Sequence, residues 1–334
     1  MRFYAIESEF GIENLKVLER EIPKPGFGRV LVKMRAASLN YRDLLVIGGR
    51  YSNMPLPLVP FSDGAGEVIE IGNGVSRWKP GERVAGIFFQ SWFSGRIDEN
   101  VAKSALGGPT PGVLAEFVVF HEDGLVPIPH HLSYEEGATL PCAGVTAWNA
   151  LTSGKITCGQ TVLTLGSGGV STFALQFAKA AGARIIVTSG DDRKIGRMIE
   201  MGASHGINYK AVPDWGNRVV ELTEGIGVDL VVEVGGLGTF GKSLQAVRCG
   251  GHVSLIGVLS GRSGEADPMP AIRKGLRIQG IFVGSREMFE AMNRAVALHQ
   301  IRPLIDRVFP FESVKEALRY LQSGAHMGKV VVAF

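Results

Sequence analysis

The sequence predicts an α/β protein in which a doubly wound parallel sheet is joined to a β-rich domain. Three observations predict this. From Thr161 onward, apolar strand-like runs alternate with amphipathic helical runs. The first of those strands turns into its helix through Gly166-Ser167-Gly168-Gly169-Val170-Ser171. Before about residue 120, short strand-like runs are separated by turn chemistry and not by helices.

Taken in order, VLVKMRAASL, AGEVIEIG, ERVAGIFF and AEFVVF read as strands, divided by KPGFG, IGNG, RWKPGE and GGPTPG. Their spacing suits a small, mostly antiparallel, barrel-like domain. LSYEEGATLPCAGVTAWNALT then reads as helix, opened by a capping box of Ser133 and Glu136. The strands TVLTLG, ARIIVTS, GINY, VDLVVEVG, GHVSLIGVLS and RIQGIFVG follow. Between successive strands of the first five lie the helical runs VSTFALQFAKAAG, DDRKIGRMIEMG, WGNRVVELTEG and TFGKSLQAVRCG. Near-continuous Val/Ile/Leu strands indicate a parallel sheet covered on both faces, and six strands in two halves match a dinucleotide-binding fold. Two tail helices and KVVVAF are expected to return to the first domain. The expected division is therefore 1–132 with 285–334, and 133–284.

Composition excludes several classes. A net charge of +3 without a Lys/Arg run gives no nucleic-acid footprint and no attraction to a membrane surface. MRFYAIESEFGIENLKVLER lacks the apolar run of a signal peptide, and no stretch approaches the ~18 apolar residues of a membrane span. Cys142, Cys158 and Cys249 form neither a disulfide framework nor a closed metal site, so a cytoplasmic location is expected. The seven histidines show no metal-like spacing.

The glycine turn lies where a G-x-G-x-x-G pattern carries meaning, between a strand and its helix. Gly166 permits the turn. Gly168 lets backbone approach a pyrophosphate, which the helix N-terminus then binds with Ser167, Gly169 and Val170. Ser171 replaces the third glycine and weakens the match. The second strand ends at Ser189-Gly190, where an NAD enzyme would place a carboxylate. Asp191 and Asp192 follow, but as cap and first helical turn. Ser189, Gly190 and Lys194 suit a 2′-phosphate, with Tyr209 beside the adenosine, so NADP (NADPH) is the expected cofactor.

The ordered motifs SLNYRD, DGAGEVIEIGNGVSRWKPGERV, LPCAGVTAW, LGSGGVSTFALQFAKAAGA, GASHGINY and HMGKVVV give the whole chain a resemblance to the medium-chain dehydrogenase/reductase superfamily. The resemblance implies a GroES-like catalytic domain, made from both chain ends, around a Rossmann domain. Zinc-dependent members bind the metal through Cys, His and Cys. At the first two positions this chain has Asn40 and Ser62, and only Cys142 matches. IDENVAKSALGGPTPG also lacks the cysteines of the structural zinc loop. The expectation is no zinc, and a likeness to the quinone oxidoreductase and enone reductase branch. There, NADPH gives hydride to a quinone or conjugated carbonyl, whose charge spreads onto an oxygen that hydrogen-bond donors can stabilise. An NADP-dependent alcohol dehydrogenase and an NADPH-binding regulatory protein without turnover are the alternatives.

The same resemblance assigns candidate roles. Asn40 donates its amide to substrate oxygen or nicotinamide, Tyr41 supplies a proton or donor, and Asp43 orients its neighbours. Arg42 counters negative charge. Against this stands a plain turn in which Arg42 pairs with Asp43. Thr146, Gly169, Val170, Val234, Gly235, Gly257, Val258, Phe282, Val283 and Gly284 are placed along the cofactor. Lys329 either reaches it from the tail or is solvated. Phe88, Phe89, Trp92 and Phe93 line an apolar substrate or form core. A small-molecule substrate and a homodimer paired through a sheet edge, GGHVSLIGVLS, complete the expectations.

Overall fold

β1 (Arg2–Ile6) and β2 (Leu15–Glu19) form an antiparallel ribbon at the start of the chain. The computed structural model describes residues 1–51, 54–261 and 265–334. Two compact units divide the chain: Met1–Val145 together with Val283–Phe334, and Thr146–Phe282.

In the first unit β3 (Arg29–Ser38) is the central strand. It is followed by α1 (Tyr41–Ile47), β4 (Asp63–Ile71), β5 (Arg83–Gly86) and α2 (Glu99–Ala102). Then come β6 (Phe117–His121), β7 (Leu125–Pro127) and α3 (Tyr134–Ala138). Val30, Val32 and Met34 of β3 point into a core shared with Phe61, Trp78 and Phe120. Burying each such large side chain contributes about 1.5–3 kcal/mol. Phe88, Phe89 and Trp92 are also buried, in edge-to-face contact, so they are core.

LSYEEGATLPCAGVTAWNALT is not one helix. α3 ends before Pro141, which lacks an N–H to continue the ladder, and a π-helical turn spans Leu140–Gly144. The backbone N–H of Cys142 donates to Asp63 at the start of β4. This bond, with Gly137 packed on Ile128, keeps residues 133–145 with the first unit.

The second unit runs α4 (Val145–Ser153), whose first residue belongs to the first unit, then β8 (Thr161–Leu165), α5 (Gly169–Ala180) and β9 (Arg184–Ser189). α6 (Asp192–Met201), β10 (His205–Asn208), α7 (Trp215–Leu222) and β11 (Val228–Glu233) follow. α8 (Leu237–Ala246), β12 (Val247–Leu255), α9 (Met269–Lys274) and β13 (Arg277–Gly280) complete it. All six strands are parallel, in the order β10-β9-β8-β11-β12-β13, the doubly wound arrangement. Two expectations are corrected. Val247–Gly250 is strand and not helix end, because Val247 pairs with Val228. GGHVSLIGVLS is no edge, because β13 pairs along β12 and is itself an edge, opposite β10.

α10 (Arg286–Leu298), β14 (Ile305–Pro310), α11 (Val314–Ser323) and β15 (Lys329–Ala333) return to the first unit. Its seven-stranded sheet has the order β14-β15-β3-β4-β5-β7, with β6 also on β3. Ser38 of β3 lies opposite both Asp63 of β4 and Val331 of β15. That register gathers three distant segments at one end of β3.

Candidate functional site

Asn40 follows β3 directly and caps α1. The antiparallel register puts Lys329 beside it. The Lys329 ammonium donates to Asn40 Oδ1 at 2.5 Å and to Leu39 O at 2.6 Å. An ammonium has donors only, so the amide atom facing it is the oxygen and the Asn40 NH2 turns away. That NH2 lies 3.5 Å from Ser62 Oγ, whose hydroxyl donates to Asp63 Oδ1 at 2.7 Å. Cys142 N–H donates to the other Asp63 oxygen at 2.9 Å. Asn40, Ser62, Asp63 and Lys329 are all buried. Lys329 is therefore not solvated.

Asp43, at the third position of α1, accepts the Asn40 N–H through Oδ2 at 2.7 Å. It is fully buried, and its Oδ1 has no hydrogen-bond partner. Burial pushes its pKa up to about 7, against the opposing pull of Arg42. Burial also raises Asp63, and Lys329 is the largest influence opposing it. Desolvation, then the Asp63 charge, pushes the Cys142 thiol upward.

Tyr41 stands at the first turn of α1 with its side chain exposed. The alternative of a plain turn with an Arg42–Asp43 pair is not what the structure shows. The Arg42 guanidinium donates to Leu106 O and Gly107 O and stacks between Tyr51 and Phe88, clamping a loop. The positions of Asn40 and Ser62 offer an amide whose oxygen already holds a cation, and a hydroxyl engaged with Asp63. Zinc takes thiolate, imidazole and carboxylate, so this donor set does not fit it. Among the described residues no group of three or more His, Cys, Asp or Glu could hold a metal.

In the second unit, the strand ends build a cradle. Gly166 has φ +72°, and a Cβ on Gly166 or Gly168 would meet only open space. Gly168 precedes α5 without any side-chain cap, so the first helical N–H groups, beginning at Gly169 and Val170, are available to an anion. Ser167 lies in the same turn. Ser171 bonds Leu165 O at 2.5 Å, so its hydroxyl closes helix onto strand where glycine was expected. These residues fit a dinucleotide pyrophosphate.

At the end of β9, Ser189 Oγ accepts from Asp191 N, and a Cβ on Gly190 would lie 2.7 Å from the Tyr209 hydroxyl. Lys210 Cε stands 2.9 Å from the same point, a cation that sequence reasoning missed. Lys194 occupies the first turn of α6. Asp191 caps that helix through Arg193 N and pairs with the Arg193 side chain, so its carboxylate is committed locally.

Glu233 was also missed, though an acid inside the apolar run VDLVVEVG was the signal. Its buried carboxylate accepts from Gly235 N at 2.7 Å, Gly236 N at 3.0 Å, Thr239 Oγ1 at 2.6 Å and Ser243 Oγ. It thereby holds the Val234–Gly236 turn. Gly257 packs on that turn so closely that a Cβ would lie 2.0 Å from Val234 O. Thr146 is buried in α4, while Val258 and Phe282 remain exposed. Val283, at φ +57°, and Gly284 belong to the first unit, with Asn40 and Asp43.

A Rossmann-type unit of this topology, with a GroES-like unit assembled from both chain ends, defines a dehydrogenase/reductase class. Residues 26–130 match the alcohol dehydrogenase GroES-like domain, and residues 169–297 match the zinc-binding dehydrogenase domain. The chain is 43% identical to a zinc-type alcohol dehydrogenase-like protein of Schizosaccharomyces pombe over 98% of each chain. It is 28% identical to a quinone oxidoreductase of Rattus norvegicus, over 97% of this chain and 95% of that one. A solved structure from Sinorhizobium meliloti, assigned as an alcohol dehydrogenase, superposes with a TM-score of 0.93 at 40% identity, covering 100% of this chain and 98% of that one. The chain belongs to the medium-chain dehydrogenase/reductase superfamily and is an oxidoreductase. Homologues in this superfamily bind NAD(P), and its members here include both alcohol dehydrogenases and quinone oxidoreductases.

Proposed function

We propose that this protein transfers hydride from NADPH to a quinone or a conjugated carbonyl (an enone or enal), without zinc. The observation that carries the reading is the Asn40 amide, held by Lys329 and facing Ser62 where zinc-dependent members place metal ligands. NADPH, when bound, supplies the hydride. The chain's own residues bind and orient. The Gly166–Val170 turn and the start of α5 hold the pyrophosphate. Ser189, Gly190, Lys194, Tyr209 and Lys210 hold the 2′-phosphate, beside an Asp191 carboxylate committed to Arg193 and an Asp192 carboxylate that accepts from Asn208. Thr146, Val234, Gly235, Gly257, Val258, Phe282, Val283 and Gly284 line the cofactor, and Asn40 donates to the acceptor oxygen as charge develops there. Asp43 fixes the Asn40 backbone.

The test is NADPH oxidation against a panel of quinones and enones in EDTA. Turnover that persists with chelator supports the reading. Activity lost with chelator and restored by zinc overturns it, as does oxidation of simple alcohols alone, which would make the protein an NADP-dependent alcohol dehydrogenase.

We also propose a small-molecule substrate, a cytoplasmic location and a homodimer. Among the described residues no helix is long and apolar enough to cross a membrane, and the three cysteines are free. For the dimer, β13 is an edge strand whose four residues are all exposed, a surface open to pairing. Monomers in light scattering at micromolar concentration would refute it.

A further inference from the structure

We infer that Lys329 is a positioning residue of the reaction: its buried ammonium replaces a metal as the fixed cation of the site and orients the Asn40 amide toward the acceptor oxygen. The inference rests on the reading above for the zinc-free site, for the donor role of Asn40 and for the substrate used to test it.

Three observations converge. The β3–β15 register brings Lys329 to Asn40 from the far end of the chain, and the contact involves both Asn40 Oδ1 and the adjoining Leu39 carbonyl. A lysine almost never lies fully buried without partners, and this one is 3% exposed. Finally, the bonds run in one direction. Lys329 donates to Asn40, Asn40 faces Ser62 with its NH2, and Ser62 donates to Asp63. Asp63 ends the chain as an acceptor on both oxygens, taking Cys142 N–H on the second. A sequence of donors that starts at a cation and ends at a carboxylate has no freedom to flip, because reversing the Asn40 amide would set its NH2 against the ammonium. Lys329, together with the Asp43 backbone N–H that reaches the same side chain in the α1 capping box, sets which face of the amide is a donor.

Lys329→Met, Lys329→Arg and the paired Lys329→Met/Asp63→Asn test this. The paired variant removes the Lys329 ammonium and the Asp63 carboxylate together, so Asp63 is not left as an unbalanced buried charge. On the substrate that wild type accepts, kcat of the paired variant is expected to fall at least about tenfold, with the Kd for NADPH within about twofold. Adding Asn40→Ala to it should cost little more, since both changes break one path. Lys329→Arg should recover part of kcat. Unchanged kcat in the paired variant overturns the inference. So does a loss confined to NADPH affinity, which would make Lys329 a phosphate-holding residue, and so does stoichiometric zinc in purified wild type. If wild type oxidises alcohols instead of reducing quinones or enones, the proposed function fails, while the same variants are read on the alcohol. If it turns over neither, the side-chain amide resonances of Asn40 in 15N-labelled protein decide. They must move in Lys329→Met and return toward their wild-type positions in Lys329→Arg; resonances unmoved by Lys329→Met overturn the inference.

Discussion

Glu233→Leu should loosen the turn on which the cofactor is proposed to lie. The wild-type carboxylate is fully buried and accepts four hydrogen bonds. Leucine accepts none. Thr239 has a substitute, since its hydroxyl already lies 3.1 Å from Gly236 O. Among the described residues the N–H groups of Gly235 and Gly236 have no such alternative. Each buried donor left unsatisfied costs about 1–3 kcal/mol, which puts the loss near 4 kcal/mol for the two. Because Gly257 packs against Val234, the disturbance should reach the end of β12 as well, and NADPH affinity should fall with stability. Glu233→Gln is the control. Its oxygen can keep the Gly235, Gly236 and Thr239 bonds while its NH2 faces Ser243, whose hydroxyl can turn to accept. The expected cost there is about 1 kcal/mol. Urea denaturation and NADPH titration of both variants provide the comparison. A leucine variant within about 1 kcal/mol of wild type, or a glutamine variant as damaged as the leucine one, would refute the reasoning.

Other outcomes follow from the same geometry. Lys194→Ala should weaken NADPH and leave NADH nearly unchanged; a charge-assisted contact of about 1.5–3 kcal/mol corresponds to roughly 10- to 150-fold in Kd, and equal effects on the two cofactors would mean that the 2′-phosphate lies elsewhere. Gly168→Ala should fold normally, since a Cβ there meets nothing within 4 Å, yet lose dinucleotide affinity because the methyl projects where the phosphate must approach; a stability loss with intact binding would contradict the cradle. Asp43 carries a pH signature. Its pKa is raised from 3.8 to about 7 by burial, so between those values the folded protein holds a proton that the unfolded chain has released. Wild-type stability should then fall, relative to Asp43→Asn, by up to about 4 kcal/mol as pH rises through that window. Denaturation of both proteins at several pH values measures the difference, and a constant gap would show that Asp43 is ionised throughout.

Much of the second unit was legible because its signals are local. Apolar runs of strand length, glycines at the turns and a helix after each strand mark the elements without reference to anything distant. The failures were also local in cause. In TFGKSLQAVRCG nothing in the periodicity marks the change from helix to strand at Val247, which its pairing with Val228 determines. GGHVSLIGVLS looks the same whether or not another strand covers its flank. In SLNYRD, charge and proximity offered an Arg42–Asp43 pair as the alternative to functional roles, but Arg42 leaves for the carbonyls of Leu106 and Gly107, two residues that no spacing rule connects to it.

The sequence alone therefore determined the alternation of strands and helices, the glycine turn, the basic and hydroxyl residues after β9, and the absence of thiolate and imidazole at positions 40 and 62. These depend on residue type and short-range order. Only the tertiary structure decided that β13 is an edge, that Glu233 ties down a turn, and that Lys329 lies on Asn40 within reach of Ser62 and Asp63. The last grouping depends on how β3 pairs with β4 on one side and β15 on the other. A shift of one residue in either pairing would send these side chains to the opposite face, and hydrogen-bond register between strands tens to hundreds of residues apart leaves no mark in any single segment.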